Sequence, residues 1–276
     1  SRILFGVFLL ALTISGSLAA HIVYAAPSLQ SESDCDRLKQ EGVDLSDQGR
    51  YQDALDKYQT ALACYQDIEN REGESRVLNN IGVVYKSLGQ TTTAIDYYEQ
   101  ALAIAREIGH QELESKFLSN LGIVYLSIGE YAIAIDYYEQ ALTVAQEIGD
   151  RQTEGIWLGN LGSTYDSLGQ YEKAIDYYKQ ALTVAQDIDD RRSEAYHLGN
   201  LGTAYDHLGQ YEKAINYHKQ ALTIAQDIDD RRSEGAQLGN LGVTYAELGQ
   251  YEKAIDYLEQ ALIIAHDIGD RQSEAN

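Results

Sequence analysis

Proline is nearly missing from this 276-residue chain: Pro27 is the only one, and methionine does not occur at all. Beyond it no residue lacks a backbone N–H or imposes the ring clash that breaks a helix, so nothing local forbids helix over the remaining length. Cysteine is limited to Cys35 and Cys64, too few for a disulfide-dense scaffold. Basic side chains are also scarce, 21 against 43 acidic ones, for a net charge of -22. Such a surface disfavours partners that must be neutralised phosphate by phosphate, whether nucleic acid or an anionic membrane. The spacings that mark catalytic or nucleotide sites are absent too: no Walker loop, G-x-G-x-x-G, G-x-S-x-G, C-x-x-C or H-E-x-x-H occurs. No cofactor or metal is therefore expected, and a non-catalytic segment is the natural reading. His197, His207 and His218 fall within 22 residues of one another, but on different helices or ten residues apart on one, which does not converge on a metal. Asp187, Asp189 and Asp190 lack the glycine and bidentate glutamate of a calcium loop and read as helix caps.

The one long apolar run lies at the amino end. Residues 1–26 join Arg2 to the run Ile3–Leu12 and then to small residues, the layout of a secretory signal, with Val23-Tyr24-Ala25 as a cleavage site; an uncleaved membrane anchor is the competing reading. Export, to a periplasmic or extracellular location, is expected on the first reading and membrane anchoring by residues 3–26 on the second. Residues 27–33 form a linker.

What the chain has in abundance is repetition. Glu74, Glu114, Glu154, Glu194, Glu234 and Glu274 mark starts 40 residues apart, dividing 34–276 into units 34–73, 74–113, 114–153, 154–193, 194–233 and 234–273, with the opening of a seventh at 274–276. A fixed period of this length signals stacked helical units, each packing on its neighbours, and hence one elongated domain. In unit four, Leu158, Leu161, Gly162 and Tyr165 fall at i, i+3, i+4 and i+7, the buried stripe of a first helix. Leu168-Gly169-Gln170 stops it, and Ala174, Ile175, Tyr178, Ala181, Leu182 and Ala185 form the facing stripe of a second. Most of the 22 tyrosines recur at the same places in every unit and read as packing residues. Unit one is the weakest copy, with Glu41 where the others carry Leu or Ile. Its two cysteines lie near the start of its first helix and the end of its second, at about one level of an antiparallel pair, so a Cys35–Cys64 disulfide is expected, with two buried free thiols as the alternative.

These residues resemble the tetratricopeptide repeat, W-x2-L-G-x2-Y followed by A-x3-F and P: Leu158 stands at the Trp place, Leu161-Gly162, Tyr165 and Ala174 match, Tyr178 replaces Phe, and the Pro is absent. The 40-residue unit is similar to that of kinesin light chains and the Partner-of-Inscuteable family. The resemblance implies an all-α fold, a right-handed superhelical solenoid of antiparallel helix pairs, and a protein or peptide partner. It is also similar to the docking arrays of larger secreted proteins that end in a caspase-like CHAT peptidase, in which case the segment is the regulatory part of an enzyme.

On each first helix the stripe beside the core stripe is expected to line the concave side. One member hardly changes: Asn80, Asn120, Asn160, Asn200 and Asn240. An amide both donates and accepts, which suits an extended peptide backbone, and peptide-binding members of the family are similar in using such a ladder. The alternative is that each Asn ties neighbouring helices together. Along the same wall Arg76, Lys86 and Lys116 are expected to make one half basic, and Asp166, Asp206 and Glu247 the other half acidic, matching a ligand of opposite polarity or else simply solvated.

Overall fold

The structure, a computed structural model, describes residues 31–274, and the side chains up to 269. The leader or anchor expected at 1–26, most of the 27–33 linker and residues 275–276 of the seventh unit lie outside the described residues. Among the described residues twelve α-helices follow one another: α1 (Glu32–Asp47), α2 (Tyr51–Asp67), α3 (Arg71–Ser87), α4 (Thr91–Glu107), α5 (Gln111–Ser127), α6 (Tyr131–Ile148), α7 (Arg151–Ser167), α8 (Tyr171–Asp187), α9 (Arg191–His207), α10 (Tyr211–Asp227), α11 (Arg231–Glu247) and α12 (Tyr251–Glu274). Among the described residues there is no strand, and no helix is long and apolar enough to cross a membrane.

Each helix packs on the next in the chain, first within a pair and then between pairs, and no element meets another far from it in sequence. The fold is thus a tetratricopeptide-like solenoid of antiparallel pairs. Its local causes repeat with the period. Unit four shows them: Asp150 caps α7, accepting from the Thr153 N–H at 3.0 Å. Gly169 takes φ 70°, a left-handed conformation that closes the helix and starts the turn into α8. Gly162 lies so close to the Tyr178 ring that an added Cβ would come within 2.6 Å of it. The absent side chain is what lets the tyrosine sit between the two helices.

The stripes bury as the periodicity implies, with two adjustments: in α7 Thr164 is buried and Tyr165 only partly, and in α8 Val184 is buried against Leu158 while Leu182, only partly buried, packs towards Ala195 and Leu198 of α9. A second set of tyrosines stacks ring on ring across each pair after the first, Tyr85 on Tyr97, Tyr125 on Tyr137, Tyr165 on Tyr177, Tyr205 on Tyr217 and Tyr245 on Tyr257, with centroids 5.3–5.5 Å apart. In unit one Glu41 is held by Lys57 and Arg37 at 2.5 and 2.8 Å in place of a core contact. The same pair brings Cys35 and Cys64 to disulfide distance, their Cα atoms 5.4 Å apart and both side chains fully buried.

Candidate ligand groove

Successive first helices approach one another, α1 to α3, α7 to α9 and α9 to α11, with no comparably close approach between successive second helices. In a stack of pairs the helices that crowd together form the inner side of the bend, so the odd-numbered helices make the concave wall. All five asparagines sit half-buried on it.

Their amides are not equivalent. The Asn120 Nδ2 donates to Asn79 Oδ1 at 2.6 Å, tying α5 to α3. Asn80 faces the Tyr58 hydroxyl, whose pKa burial raises to about 12. Asn160, Asn200 and Asn240 make no side-chain hydrogen bond among the described residues, and the Asn200 Nδ2 is buried without a partner. The place of Asn79 accounts for Asn200 and Asn240. Moving along the array it is taken by Ser119, Gly159 and Gly199, so the acceptor that held Asn120 becomes a serine hydroxyl for Asn160 and is absent for Asn200 and Asn240.

The charged residues also divide. Lys39, Arg76 and Lys116 gather with Asn79 and Asn80 around a pocket of about 180 Å³ on the inner side of α1, α3 and α5. Within it Lys39 pairs with Asp36 at 2.6 Å and Arg76 with Glu72 at 2.8 Å, whereas Lys116 has no ionic partner among the described residues. Lys86 is exposed near the end of α3, outside that cluster. The acidic residues do not line up as a matching row. Asp206 accepts from His218 Nε2 at 3.1 Å and Thr244 Oγ1 at 2.9 Å, Asp166 lies 3.3 Å from His207 Nδ1, and only Glu247 stands exposed and unpaired. Two of the three carboxylates are thus spent on helix-to-helix contacts.

What continues the groove past Lys116 is apolar. Arg76, Lys116, Ile156, Tyr196 and Ala236 occupy one repeat position, and Ile156 and Tyr196 remain 48% and 57% exposed. Two large apolar side chains exposed next to each other on an inner wall are a contact surface in waiting. Periodicity marks this position only as variable; its change from basic to apolar is the signal. The three histidines of unit five go separate ways: His218 is fully buried in a tyrosine's place, His197 is buried at the junction with unit four, and His207 packs on Tyr171. Among the described residues no group of three or more potential ligands is placed to hold a metal.

The sequence pattern of the tetratricopeptide repeat matches residues 38–107, 114–187 and 191–267. The chain belongs to the tetratricopeptide-repeat family. No curated protein sequence matches it. Among solved structures it is similar to BtubC (BKLC) from P. vanneervenii, with a TM-score of 0.68 and 23% identity over 86% of this chain and 90% of that one. It is also similar to a putative kinesin light chain of nearly identical repeats from Podospora anserina (TM-score 0.61, 20% identity, 71% and 96% covered). A third similar structure is a Rap protein complexed with Competence and Sporulation Factor (TM-score 0.57, 17% identity, 84% and 75% covered). At these identities the likeness is one of fold. In this tetratricopeptide-repeat chain the features open to a ligand are the unpaired amides of the later units, the basic cluster at the amino end and the apolar pair between them.

Proposed function

We propose that the chain is an exported, non-catalytic scaffold that holds an extended polypeptide segment along the wall of first helices. The observation that carries this reading is the set of amides at Asn160, Asn200 and Asn240, one per unit on the inner wall and none with an internal partner. At Asn200 the Nδ2 is buried without a partner, which is costly, and a peptide backbone supplies both a donor and an acceptor to amides of this kind. A segment suited to this wall carries an acidic residue opposite Lys39, Arg76 and Lys116 and apolar residues opposite Ile156 and Tyr196. The complex of the Rap protein with Competence and Sporulation Factor supports binding by an array of this shape. In an oxidising compartment Cys35 and Cys64 close unit one as a disulfide, in keeping with export.

Magnitudes limit the role of the amides. Three contacts at about 0.5 to 1.5 kcal/mol each leave a few kcal/mol before the entropy of association is subtracted, so selectivity comes from the basic and apolar ends. The test is the triple variant Asn160→Ala, Asn200→Ala, Asn240→Ala, measured by calorimetry against peptides selected by display on the full chain. Affinity is expected to fall about tenfold or more with the melting temperature unchanged. An unchanged affinity, or a variant that melts while affinity per folded molecule is kept, contradicts the reading.

A further inference from the structure

The junction between units three and four is filled; the next one is not. Trp157 closes the first, packing among Phe117, Ala141 and Ala145 while its Nε1 donates to Ser115 Oγ at 2.8 Å. Forty residues on, His197 stands for Trp157, Gly155 for Ser115 and Gly159 for Ser119. A smaller ring and two missing side chains leave a cavity of about 150 Å³ between α7, α8 and α9. Ile156, Val184, Ala185 and Ile188 give it apolar walls, interrupted by the polar Gln152, Asn160 and Ser193, and the exposed Tyr196 lies at its edge. His197 is only 4% exposed, and its Nδ1 has no partner. The ring edge lies against the bare Gly159, where an added Cβ would lie 2.9 Å from Cε1 and 3.6 Å from Nδ1, so this nitrogen is covered by backbone alone and is reached from the cavity by a turn of the ring.

We propose that this cavity receives a tyrosyl side chain from the bound segment, a proposal that takes the source of the ring from the groove reading above. Size comes first: a cavity of this volume with apolar walls accommodates a benzene-sized group. Chemistry narrows the choice. Burial pushes the His197 pKa down to about 4, so the ring is neutral and its Nδ1 either donates or accepts according to the tautomer. A phenol hydroxyl serves both cases, while phenylalanine leaves the nitrogen unpaired and serine or threonine leaves the walls uncovered. An acidic occupant meets the Asp190 carboxylate at the rim, whose oxygens accept from the Ser193 N–H and hydroxyl.

The full chain is titrated with p-cresol and with toluene, following the ring resonances of His197 and Tyr196. Saturable p-cresol binding is expected, with toluene about three- to tenfold weaker for want of the hydroxyl. The double variant Gly155→Ser, His197→Trp rebuilds the Ser115–Trp157 pair of the preceding junction and is expected to bind p-cresol at least about tenfold more weakly. If that variant unfolds, His197→Phe still decides, because removing Nδ1 must erase the preference for p-cresol over toluene. Equal p-cresol affinity in the filled variant overturns the pocket, and equal affinity for the two probes in the unaltered chain overturns the tyrosyl assignment. Display-selected peptides separate this idea from the groove itself. Peptides that depend on Asn160, Asn200 and Asn240 but lose nothing on a Tyr→Ala change overturn the pocket and leave the groove standing. A p-cresol site in a chain that selects no peptide overturns the groove reading alone.

Discussion

At the scale of single residues the array tells its units apart by small departures from the repeat. His197 is one. Burial lowers its pKa from 6.5 to about 4, against the nearby Asp190 carboxylate, which raises it. Between those values the unfolded chain binds the proton and the folded chain does not, so the contribution is complete above about pH 6.5 and is lost as pH falls towards 4. The loss is on the order of 3 kcal/mol across that window. His197→Phe, a residue unit three carries at the same position in Phe117, is expected to flatten the stability profile between pH 6.5 and 4, read by denaturant unfolding at a series of pH values. A second departure lies in the turns between units. Gly109 and Gly149 take the left-handed conformation there, but Asp189 and Asp229 are held in it at φ 57° and 54°. Asp189→Gly with Asp229→Gly relieves a Cβ clash at each site and is expected to raise stability by about 1 kcal/mol per site, seen as a higher melting temperature. The asparagines show the limit of reading residues one at a time. Their recurrence is plain in the text, but that Asn120 is tied and Asn200 is not depends on Asn79 and Gly159, which belong to other units.

At the scale of elements most of the architecture was legible. Leu158, Leu161 and Gly162 on α7 and Ala174, Tyr178 and Ala181 on α8 are spaced for one face of each helix, and those faces meet. Gly169 stops α7 because a left-handed residue ends the helix without strain there. The cavity between α7, α8 and α9 was not legible, since a void is the joint result of Gly155, Gly159 and His197, none of which is unusual alone. Nor was the engagement of Asp206, because His218 and Thr244 reach it from two other helices. Unit one is the least apolar element pair, with Glu41 in an ion pair where others have a core residue. A disulfide between Cys35 and Cys64 spans a separation of 29 residues, and closing such a loop restrains the unfolded chain by about 3.5 kcal/mol. Cys35→Ser with Cys64→Ser is expected to raise amide exchange in α1 and α2 by orders of magnitude while α5 to α10 keep their protection, because each unit contacts only its neighbours. Two titratable thiols in the unaltered chain made under oxidising conditions would contradict the bond.

At the scale of the molecule, one period written six times produces a curved stack whose inner wall is made of first helices, and variation between copies turns that wall into a graded surface. It is basic around Lys39, Arg76 and Lys116, apolar at Ile156 and Tyr196, and lined with free amides from Asn160 onward. The net charge of -22 is carried by the rest of the surface as well, so association with a segment bearing an acidic residue at one end depends on local fields and weakens as salt screens the basic cluster. The central claim is that the unpaired amides of the inner wall meet the ligand. The most direct measurement is the side-chain amide spectrum of the full chain labelled with nitrogen-15 at asparagine, titrated with a display-selected peptide. The account predicts that the Asn160, Asn200 and Asn240 signals shift together and saturate with the binding curve, while Asn120, tied to Asn79, moves little. Saturation with those three signals unmoved, or with Asn120 moving as far as they do, would contradict it.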